Sequence, residues 1–253
     1  MKLKKIFASL VATVLAGNLV GGTVNAIDYR AAGSYAAKYN NSYNPLYADF
    51  NIYGGDCTNF VSQILKAGGM WEIIHPDDYF DYVDPNSEYN KYRSYKLNCP
   101  CLDCWSYDSL EYRSKTWSET DKLSDFLTDE LGIEREYYWD FNKLLLEVEP
   151  GDIVLCSKSI LPVTGLYNHA LYVHMSHDQN VGPSPEYGTF HYTRLVGHSD
   201  DKAYCYSIYE GDSKDYDLGY ASYAVIKTSD YESWRDYYVD PSRGLVPKWY
   251  PLG

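Results

Sequence analysis

Basic residues are scarce in this 253-residue sequence: 22 lysines and arginines stand against 35 aspartates and glutamates, a formal charge of -13. A nucleic acid, single-stranded or duplex, would meet net repulsion, so a polynucleotide partner is disfavoured. After the first twenty residues no stretch approaches ~18 uninterrupted apolar residues, so no stable membrane anchor is expected. No cysteine directly follows the leading apolar run, which argues against a lipid-anchored form. Internal repeats, low-complexity tracts and a linker that would divide the chain are also lacking. Hydrophobic residues make up 45% of the chain, enough for a core, so disorder throughout is excluded.

What is present begins with an address. Lys2, Lys4 and Lys5 precede the apolar run Ile6 to Val20, and Thr23-Val24-Asn25-Ala26 then offers small residues to a signal peptidase. Residues 1–26 therefore read as a signal peptide, with a mature chain from Ile27 that is secreted, extracellular or associated with a cell wall. Tyrosine is abundant, at 29 residues, and supplies apolar area with a wet hydroxyl, which suits carbohydrate-facing or peptide-facing surfaces. Six cysteines in an exported chain suggest disulfides, yet Cys57 stands alone while Cys99, Cys101 and Cys104 crowd together. If Cys57 is a nucleophile, at least one of the other five is unpaired.

Hydrophobic spacing predicts a helix after Asp28, on which Ala31, Ala32, Tyr35, Ala36 and Tyr39 recur at helical intervals. A second follows Gly54-Gly55, with Asp56 at the N-cap, Phe60, Val61, Ile64 and Leu65 on one face, and Gly68-Gly69 as the stop. Residues 75–112 have no sustained period and read as an irregular insertion. Ser118 to Leu131 predicts a third helix with a capping-box-like start at Ser118 and Asp121. From Pro150-Gly151-Asp152 onward strands dominate: Ile153 to Cys156, His169 to Met175, Tyr192 to Gly197, Ala203 to Tyr209 and Tyr220 to Lys227. Helices followed by antiparallel strands predict an α+β fold over residues 27–228, with an unplaced tail over 229–253.

Cys57 lies at a helix start, where unpaired N–H groups and the dipole favour a thiolate. His169 opens a later strand, from which it could take the thiol proton and return it to a leaving amine. Cysteine on an early helix, histidine on a later strand and a polar orienting residue on the next strand is the papain-like order.

Several blocks carry a resemblance: Asn44-Pro45-Leu46-Tyr47, Gly54-Gly55-Asp56-Cys57-Thr58-Asn59-Phe60-Val61-Ser62-Gln63 and Ala67-Gly68-Gly69. They are followed in order by Ser114-Lys115-Thr116-Trp117, Pro150-Gly151-Asp152-Ile153-Val154, Asn168-His169-Ala170-Leu171-Tyr172-Val173 and Leu195-Val196-Gly197-His198-Ser199-Asp200-Asp201. Over residues 28 to about 210 the chain resembles the putative amidase domain family, papain-like domains of exported bacterial proteins. That resemblance implies a Cys/His hydrolase related to cell-wall amidases and peptidases. The chain departs from the family pattern at Ser157 to Tyr167, which lacks the Asp-His pair before the histidine. In this reading Cys57 attacks an amide carbonyl, helix-start N–H groups hold the oxyanion and His169 shuttles the proton. Asp56 is a helix cap, and Tyr47 or Tyr53 is a candidate oxyanion donor.

For the residue that orients His169, His191, His198, Asp200 and Asp201 compete. Pairing residues 169–175 with 192–198 sets His169 opposite His198, which also resembles the family's third polar position. Arg194 would then sit opposite Val173, a conflict that would hand the role to Asp201.

A metallohydrolase is the poorer expectation. His169 and His174 differ in strand parity, so His169, His174 and His177 cannot face one metal, and Cys99, Cys101 and Cys104 lack a local fourth ligand. The cysteine mechanism needs no Lewis acid, so no metal or other cofactor is expected. The expected partner is a peptidoglycan or peptide substrate. The alternatives are an extracellular peptidase acting on proteins and a silent tyrosine-rich binding module.

Overall fold

The computed structural model describes residues 27–51, 55–74, 104–110, 113–161, 166–175, 190–198, 202–209, 218–230 and 246–247. The leader, Tyr53, Cys99, Cys101, His177, Asp200 and Asp201 lie outside them, as does much of the stretch read as an insertion and of the tail.

Helix α1 (Tyr29–Tyr39) begins where the Asp28 carboxylate accepts from the N–H groups of Arg30 and Ala31, a conventional N-cap. Helix α2 (Cys57–Ala67) is buried at every position from Cys57 to Leu65, because it packs against α1, a short helix α3 (Lys115–Ser118) and the sheet. The end of α2 presses on the start of α1. A Cβ on Gly68 would lie 2.5 Å from Ile27 Cγ2 and 3.1 Å from Ala32 Cβ, so only glycine permits this approach. The Asp28 N–H completes the joint with a 2.8 Å bond to the Gly68 carbonyl.

Between the helices and the sheet come β1 (Ile73–Ile74), α4 (Thr120–Asp125), β2 (Arg135–Tyr138) and α5 (Phe141–Glu147). Strands β3 (Ile153–Ser157), β4 (His169–Met175), β5 (Phe190–Gly197), β6 (Lys202–Tyr209) and β7 (Ser222–Ile226) follow, and β8 (Val246–Pro247) pairs with β1. The main sheet has six strands in the order β2-β7-β3-β4-β5-β6, with every neighbouring pair antiparallel. The fold is α+β, as the order of helical and alternating segments predicts.

Strand alternation sends the side chains to two cores. Ala170, Tyr172, Val196 and Ala224 join Phe60 and Ile64 of α2, whereas Leu171, Val173, Leu195 and Val225 join Leu144 and Leu145 of α5. Helix α2 is thereby seated on one face of the sheet, over the strand that begins with His169.

Three expectations need correction. The helix expected over Ser118–Leu131 is broken at Glu119, whose φ of -111° and ψ of 126° are extended; α4 starts afresh without a side-chain cap and passes into a π-helical turn, Phe126–Glu130. Trp105, inside the stretch read as an irregular insertion, is fully buried and bridges Ile73 through reciprocal backbone bonds, so this end of the stretch belongs to the core. The β4–β5 register also differs from the one expected. Tyr172 faces Val196, Val173 faces Leu195 and Met175 faces Arg194, with a bulge between Val173 and Met175. The pairing lies one residue from the expected one, so Val173 meets Leu195 rather than Arg194 and His198 is moved away from the place opposite His169; the bulge beyond Val173 then sets Arg194 against Met175.

The Pro150-Gly151-Asp152 turn is held by a buried ion pair. Asp152 accepts from Lys227 Nζ at 2.8 Å, the Glu149 N–H at 3.0 Å and Ser229 Oγ at 2.6 Å, so the fold reaches past residue 228. Asp152→Ala would strand the Lys227 ammonium, and a loss of about 3–5 kcal/mol is expected. Urea unfolding measures it, and a loss below about 1 kcal/mol would contradict this account of the turn.

Candidate active site

Cys57 is the first residue of α2 and His169 the first residue of β4, and the packing of that helix on that strand brings them together. Both are buried, at 5% and 4% exposure, and the His169 side chain hydrogen-bonds the Cys57 thiol. Burial alone pushes the thiol up, but the His169 bond and charge, the Ala170 N–H and the Thr58 hydroxyl outweigh it and bring Cys57 down to about 7. Cys156, opposite His169 on β3, is the contrasting case: burial holds its thiol well above the ordinary range. Of these two thiols, that of Cys57 lies nearer to ionisation at neutral pH. The Tyr220 ring lies 6.1 Å from that of His169 and nearly parallel to it.

His198 stands elsewhere. It is 1% exposed, with Nδ1 2.6 Å from Asp56 Oδ2 and Nε2 2.6 Å from the Tyr39 carbonyl. Its ring lies 3.6 Å from that of Phe60 at an interplanar angle of 5°. With both nitrogens so engaged, neither is left to receive an N–H from His169, so the structure joins Cys57 to His169 and His198 to Asp56.

Asp56 differs from its expected role as well. Its side chain makes no cap bond to α2; instead Oδ1 accepts from the Phe50 N–H at 3.1 Å and Asn59 Nδ2 at 2.8 Å. Local sequence could not reveal this, since an aspartate before a helix reads as a cap, and the His198 it bonds instead lies just past the end of β5, 142 residues away.

A family model described as putative amidase domain matches residues 26–216. The chain belongs to that family. Comparison with curated proteins and with solved structures returns no match. Membership in the putative amidase domain family supports amide-bond hydrolysis as the activity class. Much of the amidase domain's motif serves as scaffold around the pair. Trp117 Nε1 donates to Asn59 Oδ1 at 2.7 Å, Ser62 Oγ donates to the Trp117 carbonyl at 2.9 Å, and the Tyr35 hydroxyl donates to Gln63 Oε1 at 2.6 Å. These bonds satisfy polar groups on a helix buried all round, and so fix its rotation and the direction of Cys57.

Tyr47 packs on Tyr107 and Trp117 with Lys66 over its ring, and burial holds its hydroxyl protonated. Among the described residues no group of three or more His, Cys, Asp and Glu side chains is arranged to hold a metal ion.

The lowered thiol has a direct readout. Cys57 alkylation by iodoacetamide is expected to reach half its maximal rate near pH 7, against roughly 8.5 for an ordinary cysteine. Since the thiolate is the reactive form, the rate should fall about tenfold per pH unit below that midpoint. A midpoint at or above 8.5 would contradict the pairing with His169.

Proposed function

We propose that this chain is an exported, papain-like cysteine hydrolase that cleaves amide bonds in peptidoglycan peptides. The observation that carries the reading is the hydrogen-bonded Cys57–His169 pair with its lowered thiol at the start of a buried helix. The leader-like first 26 residues and the resemblance to cell-wall amidases support the location and the substrate class.

The chemistry follows from the pair. His169 accepts the Cys57 proton, and the thiolate attacks the amide carbonyl carbon, whose electron pair moves to oxygen. N–H groups at the start of α2 stabilise that oxyanion, as does the dipole of the helix. When the carbonyl re-forms, the C–N bond breaks and His169 gives its proton to the leaving amine. A thioester on Cys57 remains. His169 then removes a proton from water, hydroxide attacks the thioester, and the C–S bond breaks to give a carboxylic acid and a thiolate that recovers its proton. Each turnover consumes one water and one amide and frees one amine and one carboxyl group.

Digestion of purified sacculi followed by mass spectrometry tests the substrate. New free amines and carboxyls in the stem or cross-link peptides support the proposal. Intact sacculi alongside cleavage of protein substrates would instead make the chain an extracellular peptidase.

A further inference from the structure

The pair His198–Asp56 is the largest investment in this site that the chemistry above does not use. It is enclosed: Asp56 is 0% exposed, His198 is stacked on Phe60, and the Tyr43 ring is tilted against it at 4.8 Å. The Asp56 carboxylate and the Tyr39 carbonyl engage the two ring nitrogens, each at 2.6 Å, so the imidazole is held between them.

That engagement matters because of where Asp56 stands. It immediately precedes the nucleophile, at a helix start whose N–H groups favour an anion. An aspartate there would ordinarily turn its carboxylate onto those N–H groups as a cap, occupying the donors and repelling a thiolate next door. Here the side chain makes no such bond and is drawn to His198, Asn59 and the Phe50 N–H. We propose that His198 is a positioning residue that pulls the Asp56 carboxylate off the start of α2, leaving that helix start to the thiolate and the oxyanion. The inference rests on the reading of Cys57 as the nucleophile.

Other titratable groups facing this assembly do not imitate the effect. Burial raises Tyr35 and Tyr107, and raises Cys156 well above the ordinary range, so these stay neutral near pH 7. His169 acts on the thiol directly and is present in every variant below.

The test is a cycle of four proteins, the wild type, His198→Ala, Asp56→Asn and the double variant, each read by the pH midpoint of Cys57 alkylation and by thermal unfolding. Removing His198 alone leaves a carboxylate free to reach the helix start, and the midpoint is expected to rise by about one pH unit or more. Adding Asp56→Asn removes that charge and should return the midpoint toward the wild type although His198 is still missing. A merely structural role would lower the unfolding temperature without this recovery. The proposal is overturned if the midpoint does not move in His198→Ala, or moves and is not recovered by Asp56→Asn. Should His198→Ala fail to fold, His198→Leu fills the place of the ring without any donor for Asp56, and an unmoved midpoint there overturns the proposal equally. A wild-type midpoint at or above 8.5 would defeat the Cys57 reading itself, whereas a wild-type midpoint near 7 with failing variants defeats only the role of His198.

Discussion

Replacing Cys57 by alanine is expected to lower amide turnover on the order of 10³-fold or more while leaving the protein folded. The side chain lost is small, and alanine is the best residue for a helix, so the cost in packing is about 1 kcal/mol. Helix α2 keeps the contacts that seat it, since Phe60, Val61, Ile64 and Leu65 supply its core face and Asn59, Ser62 and Gln63 its hydrogen bonds. Purified variant and wild type compared by initial rate and by thermal unfolding decide the matter. Comparable rates would remove Cys57 from the mechanism, and a collapsed thermal transition would mean that the thiol is structural.

His169→Ala should be about as damaging, on the order of 10³-fold, because in the proposed mechanism one residue supplies both the base that generates the thiolate and the acid that protonates the leaving amine. It has a second signature that Cys57→Ala cannot have. The thiol of the variant keeps the burial that pushes it up but loses the hydrogen bond and charge that bring it down to about 7. Its alkylation midpoint should therefore move upward past the ordinary cysteine value of roughly 8.5. Loss of turnover with an unmoved midpoint would assign His169 to substrate binding rather than to the thiol.

Local pattern made the helices and strands around these two residues legible. Apolar spacing on Phe60, Val61, Ile64 and Leu65 with a glycine stop located α2, and the apolar run after His169 located β4. Both are strong signals because a buried helix and a buried central strand leave little freedom of residue type. What was not legible was set by distant partners. The register of β4 on β5, which places His198, and the bulge that sets Arg194 against Met175 depend on how two strands meet. Glu119 is extended directly after Ser118, where the sequence marks a helix start. Asp56 carries every local mark of a cap, yet its carboxylate bonds His198, Asn59 and the Phe50 N–H instead. The pairing of Cys57 with His169 needed only element order to foresee, whereas the fate of Asp56 and His198 needed register.

The central claim is that Cys57, poised by His169, is the group that does the chemistry. Substoichiometric iodoacetamide at pH 7, followed by peptide mapping and an assay of amide hydrolysis on the same sample, tests it most directly. The account predicts label on the peptide containing Cys57, little on the peptide containing the buried and protonated Cys156, and hydrolysis lost in proportion to the label. Label distributed over the other cysteines, or full hydrolysis by protein labelled at Cys57, would contradict it.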